Sequence, residues 1–302
     1  MNAGLAAERP SALRIWVMAA RPRTLPAAIA PVLVGTALAA TVDTFKVLTF
    51  LAALLGALFI QVGTNLSNDY SDARRGADTE DRLGPVRVTA GGLVPPRQVL
   101  VATYVAFALA VLAGTYLIAT AGWELLLVGA ASILAGVLYT GGPRPYGYEG
   151  LGEVFVFLFF GVVAVTGSYF AQVERLEWEA LALAVPVGLL AAAILVVNNT
   201  RDLETDRRAG KRTLSVRMGR ERSRALYVAM VAGAFLTAQI PWLAGSLSPW
   251  LALTLLAVPL ALPVIKTVRT HADGPALNRA LAGTGQLQLA FCALLAAGIL
   301  AS

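Results

Sequence analysis

Asn65-Leu66-Ser67-Asn68-Asp69-Tyr70-Ser71-Asp72 and Asn198-Asn199-Thr200-Arg201-Asp202-Leu203-Glu204-Thr205-Asp206 are two polar stretches that interrupt an otherwise apolar chain, and they resemble each other. Each ends an apolar run and sets two carboxylates one helical turn apart. Bases follow both: Arg74 and Arg75 after the first, Arg207, Arg208, Lys211 and Arg212 after the second. Because i, i+3 and i, i+4 neighbours share a helix face, each pair presents its acids together wherever the helix runs through the motif.

The surroundings decide the fold class. Of 302 residues, 57% are hydrophobic and 14% charged, and the mean hydropathy is +0.69. Such a composition lies outside the range of soluble domains. A spanning helix needs about 20 mostly apolar residues. Nine stretches qualify, at roughly 24–41, 46–66, 99–121, 123–140, 151–172, 179–198, 224–244, 248–265 and 283–301. Nine spans put alternate connections on opposite sides. All of the 24 Lys and Arg except Lys46 and Arg175 then fall on one side, which the positive-inside rule makes cytoplasmic. The expectation is an all-α membrane bundle of nine helices with the N-terminus cytoplasmic and the C-terminus outside. The charge of +6 then reflects topology and contact with anionic membrane lipid, not nucleic acid. The first 20 residues carry Glu8, Arg9 and Arg14 and read as a cytoplasmic lead-in, not a cleaved signal. Cys292 is the only cysteine and His271 the only histidine, which excludes an internal disulfide and a multi-histidine metal site.

Two connections are long, about 67–98 and 199–223, and each holds an acidic pair. They follow the second and sixth spans, so the two helices run in the same direction with four spans between them. This suggests one domain over 1–302, built from two pseudo-repeated four-helix units whose acidic ends meet at one membrane face.

At that face, Asp69, Asp72, Asp202 and Asp206 suit Mg²⁺, which favours one or two carboxylates, waters and phosphate oxygens. Solvated loop charges are the bland alternative, and two matching pairs weaken it. Asn68 and Asn199 are helix-end residues that also suit a place beside the carboxylates. Lys211 and Arg212 follow the second pair after a glycine, with Arg82 and Arg144 as further candidates for a diphosphate; as single residues they read equally as topology signals. Tyr139 precedes a turn-rich loop, Gly141 to Glu153, that holds Tyr146 and Tyr148, and these tyrosines suit stacking on an aromatic molecule or a cation, or anchoring at the interface.

On these motifs the chain resembles the UbiA superfamily of intramembrane prenyltransferases over essentially its whole length. Asn68-Asp69-x-x-Asp72 and Asp202-x-x-x-Asp206 match that family's two Asp-rich motifs. Within it, Arg21 to Pro26, Gly76 to Arg82, Gly141 to Glu153 and Asn198 to Leu214 most resemble the branch that prenylates 1,4-dihydroxy-2-naphthoate in menaquinone synthesis. The pattern departs at Gly76, where many relatives carry a further Asp and the nearest acid here is Asp78. It departs again at Pro143, where many carry a Lys and Arg144 follows. The resemblance implies Mg²⁺-dependent transfer from a polyprenyl diphosphate, metal ligands at Asp69, Asp72, Asp202 and Asp206 with Asn68, acceptor contacts at Tyr139, Tyr146, Tyr148 and Asn199, and Asp72 or Asp78 as the base. It also implies a bacterial cytoplasmic membrane with the site facing the cytoplasm. Other acceptors (4-hydroxybenzoate, homogentisate, haem) remain open. A secondary transporter is disfavoured, because transporters bind near the midplane and these span interiors hold almost no charge.

Overall fold

The computed structural model describes residues 10–77 and 83–302, and these are all-α, with no strand among them. Helix α1 (Ala12–Ala20) lies ahead of a 3₁₀ turn (Pro22–Thr24) and α2 (Pro26–Ala40). Arg21 has left-handed backbone, φ 54°, and the two parts meet at 51°. Pro22 and Pro26 fix φ and lack the N–H that would continue a helix. Then come α3 (Val47–Arg74), α4 (Pro96–Ala121), α5 (Glu124–Leu138), α6 (Gly152–Val173) and α7 (Trp178–Arg201). Short α8 (Leu203–Arg208) and α9 (Leu214–Met218) precede α10 (Arg220–Leu243), α11 (Pro249–Thr270) and α12 (Gly274–Leu300).

A helix stands at each of the nine expected stretches. Seven are long and apolar enough to cross a membrane (α3, α4, α6, α7, α10, α11 and α12), and the bent pair ending in α2 makes an eighth if it is one span. Helix α5 has only 15 residues, short of the usual length of about 20. Of the three prolines of 248–265, Pro249 opens the 3₁₀ part of α11 (Pro249–Ala257) and Pro259 falls in the first turn of its α-helical part, whereas Pro263 lies inside that helix. Together these helices make the chain an integral membrane protein.

Helix α7 is the central post. Buried residues make up 72% of its apolar window, against 22–28% for α3, α4, α6, α10 and α11. A helix that is apolar all round belongs inside a bundle, and Leu183, Val187, Leu190 and Val197 are fully enclosed. Small residues let α6 come close. A Cβ on Gly161 would lie 2.5 Å from the Gly188 Cα, and one on Gly188 would lie 2.8 Å from the Phe157 carbonyl oxygen. Close approach of this kind is how membrane helices gain packing energy. At this contact α6 carries a π-helical turn, Phe157–Val163, a distortion that often accompanies functional sites.

Candidate active site

Helix α3 continues through the first motif to Arg74, whereas α7 stops at Arg201 and the chain restarts as α8, with Asp202 between them. Both ends open on one cavity of about 370 Å³, bounded by α2 to α7 and the loops at the motif end. Asn68, Asp72, Asn198, Asn199, Asp202, Asp206, Lys211 and Arg87 line its polar end. The other end reaches Gly56, Gly114 and Leu125, well inside the apolar part of the bundle.

Asp72 is the hub, with its side chain only 2% exposed. Its Oδ1 accepts from Tyr148 Oη (2.6 Å), and its Oδ2 accepts from Arg87 Nη2 (3.3 Å) and faces Lys211 Nζ (3.7 Å). Lys211 also lies 3.8 Å from Asp206 and 4.8 Å from the centre of the Tyr148 ring. One ammonium therefore joins both acidic motifs. Gly210, with φ +75°, makes the turn that brings it there. Asp202 is held by the fork of Arg201, at 2.8 Å from Nε and 2.5 Å from Nη2. The same guanidinium reaches Asn198 Oδ1 (2.9 Å) and Asn278 Oδ1 (2.7 Å), tying α7 to α12. Asn68 Oδ1 accepts from Thr140.

Beside the charges stands an aromatic wall. Tyr146 stacks on Phe155 at 4.0 Å and meets Tyr139 edge-on at 5.5 Å, and Phe159 continues the row. Tyr146 donates to the Ala135 carbonyl, and burial pushes its phenol well above the ordinary range. It therefore stays neutral at physiological pH.

Several expected residues are placed elsewhere. Asp69 is buried outside the cavity lining. Its two oxygens accept the backbone N–H groups of Val88 (3.1 Å) and Thr89 (2.9 Å). The shared helix face is real, but this acid is turned onto the following loop and holds Arg87 next to Asp72. Arg212 and Arg144 are exposed and do not line the cavity; the Arg212 N–H donates to the Tyr148 carbonyl. Asp78 and Arg82 lie outside the described residues. Arg87, Arg201, Glu153, Phe155 and Phe159 were not singled out by sequence. Arg87 lies in a long loop with no motif of its own, and Phe155 and Phe159 look like ordinary span residues. Arg201 next to Asp202 was a signal available in the second motif.

The donor set fits Mg²⁺. Asp72, Asp206 and Asn68 offer hard oxygen atoms, and two of these carboxylates already share one cation. Among the described residues no three His, Cys, Asp or Glu side chains form a closed metal cage. An open set suits an ion that completes its shell with water and phosphate oxygens.

A membrane bundle with a charged mouth, an aromatic wall and an apolar interior suits a molecule with an anionic head and an apolar tail. The chain belongs to the UbiA prenyltransferase family, which matches residues 28–300. It is 46% identical to the 1,4-dihydroxy-2-naphthoate octaprenyltransferase of Mycobacterium tuberculosis, over 95% of this chain and 96% of that protein. The protein of the same name from Escherichia coli is 38% identical over 91% of each chain. In fold it is similar to a UbiA homolog from Archaeoglobus fulgidus bound to DMAPP and Mg²⁺ (TM-score 0.66, 17% identity, 95% of this chain and 99% of that one). A UbiA homolog from Aeropyrum pernix K1 is also similar (TM-score 0.70, 16% identity, 92% and 97% covered).

Proposed function

We propose that this protein transfers a polyprenyl group from its diphosphate to 1,4-dihydroxy-2-naphthoate, releasing diphosphate and CO₂ and leaving a demethylmenaquinol. The observation that carries this reading is the single cavity joining both acidic motifs and Lys211 to an aromatic, apolar interior. The names of its relatives supply the acceptor.

Asp72, Asp206, Asp202 and Asn68 would hold Mg²⁺, which supplies charge neutralisation at the leaving diphosphate. Lys211 and Arg87 would bind its oxygens directly, as preorganised cations where negative charge develops. As the allylic C–O bond breaks, Tyr139, Tyr146 and Phe155 would face the carbon cation with their π surfaces, and the surrounding bundle keeps water out. The naphthoate ring carbon bearing the carboxylate forms the new C–C bond, and loss of CO₂ restores aromaticity. Asp72 and Asp78 are the candidates for taking the hydroxyl proton. Asp69 acts by position, through the Val88–Thr89 loop.

The same reading covers architecture. We take the chain as one domain of two four-helix units, in which α2 and α5 also cross. The site opens to the cytoplasm from a bacterial cytoplasmic membrane. The basic side of the chain and the motif side of the bundle coincide, in support of this orientation.

The test is turnover of octaprenyl diphosphate with naphthoate labelled at its carboxyl carbon, with and without Mg²⁺. One labelled CO₂ per diphosphate released is expected. A prenylated product that keeps the label, or turnover of 4-hydroxybenzoate or homogentisate instead, overturns the assignment.

A further inference from the structure

Glu153 is a buried acid that the scheme above does not use. It is the second residue of α6 and is 3% exposed. Its Oε1 accepts from Asn199 Nδ2 at 2.9 Å. Its Oε2 is buried and has no hydrogen-bond partner among the described residues. A half-satisfied buried carboxylate is destabilising. An apolar residue would pack there at lower cost, so packing gives no reason for an acid at this place.

Asn199 supplies a reason. It is 4% exposed and lines the cavity, three residues before Asp202 on α7 and so one helical turn deeper into the bundle. The asparagine turns its NH₂ to Glu153 Oε1, which accepts whether the carboxyl group is ionised or carries a proton on Oε2. Its Oδ1 is then left as the free end, with no hydrogen bond to any described residue. Without Glu153 the amide is free to flip and offer either a donor or an acceptor. Tyr139 borders the same pocket. A Cβ on Gly152 would sit 3.0 Å from Leu195 Cδ2 and 3.3 Å from this ring, so the glycine lets the ring lie close to the start of α6.

We infer that Glu153 is a positioning residue that locks the Asn199 amide so that its Oδ1 accepts a ring hydroxyl of the aromatic acceptor. The inference rests on the acceptor being a hydroxylated aromatic acid, as proposed above. It assigns acceptor selection to a pair at the mouth of α6 and the end of α7, apart from the diphosphate residues. A locked acceptor favours a hydroxyl and rejects a methyl ether or a carbonyl at that position, because the oxygen would then face another acceptor.

The test uses the full-length enzyme with steady-state KM measured for both substrates. Glu153→Leu is expected to raise the acceptor KM by about tenfold or more, the scale of one lost buried hydrogen bond, with the donor KM within about twofold. Glu153→Gln should restore most of the loss, because its Oε1 also accepts from the Asn199 amide. Asn199→Ala should match Glu153→Leu, and the double variant should be no worse than either single one. Equal rises in both KM values, no change in either, or a Gln variant as poor as Leu overturns the inference. If Glu153→Leu does not fold, Asn199→Ala and Glu153→Gln decide alone. Failure of the wild type to prenylate naphthoate at all would instead sink the acceptor assignment, and the two failures are distinguishable.

Discussion

Asp72 accepts from a tyrosine and an arginine and faces a lysine. On the reading proposed above, removing its charge strips the site of a metal ligand, and it also takes from Arg87 and Lys211 the anion that they share. Asp72→Asn should therefore lower turnover by about a hundredfold or more and also lower the melting temperature of the unliganded protein. Added pyrophosphate should restore the melting temperature, because it pairs the same cations. Lys211 and Arg212 are neighbours with opposite surroundings: one is buried between two acids and the other is exposed. Lys211→Met should weaken pyrophosphate inhibition by about tenfold or more, while Arg212→Ala and Arg144→Ala stay within about twofold, as expected for screened surface charges. Equal effects of all three on the inhibition constant would contradict the placement.

At the scale of elements, Asp69 links α3 to the loop that carries Arg87. Its bonds to Val88 and Thr89 are charge-assisted and buried, worth about 1.5–3 kcal/mol each. Asp69→Ala should speed hydrogen exchange over 83–95 and reduce turnover through a displaced Arg87, and Asp69→Asn should recover part of both, since its amide oxygen still accepts one bond. Unchanged exchange in that loop would refute the link. The positions of the helices were readable from hydropathy because nearly every apolar run here is a membrane helix. What happens inside the motifs was not. Spacing puts Asp69 and Asp72 on one face, but which one turns to the cavity depends on where the residues after Arg82 fold back. Nor does hydropathy foretell the break at Asp202, where Arg201 folds onto its own neighbour, or the π-helical turn in α6. Lys211 was legible from its position after Gly210. Arg87 and Glu153 were not, because their partners are distant in sequence.

For the molecule as a whole, span number and orientation are linked. With nine crossings the termini lie on opposite sides, and with eight they lie on the same side. Cys292 is fully buried, so a membrane-impermeant thiol reagent should not reach it, and single cysteines can be introduced without first removing it. Arg144→Cys should react only from the cytoplasmic side in oriented vesicles, and Ser302→Cys and Arg175→Cys only from the outer side. Labelling of Ser302→Cys and Arg144→Cys from the same side would exclude nine crossings.

The cavity has a further consequence. At about 370 Å³ it is near the small end of the range for pockets that hold drug-sized ligands. A diphosphate, a bicyclic acceptor and a tail of many isoprene units do not fit into it together. On the reading proposed above, most of the tail lies in the bilayer, where it meets hydrocarbon like its own. The enzyme then recognises the head and the first few carbons and is blind to the remote end. Donors of quite different lengths should be used with similar kcat/KM, and the quinone tail of the cell would be decided by whichever synthase fills the donor pool. Replacing that synthase should change the length of the product without any change in this protein.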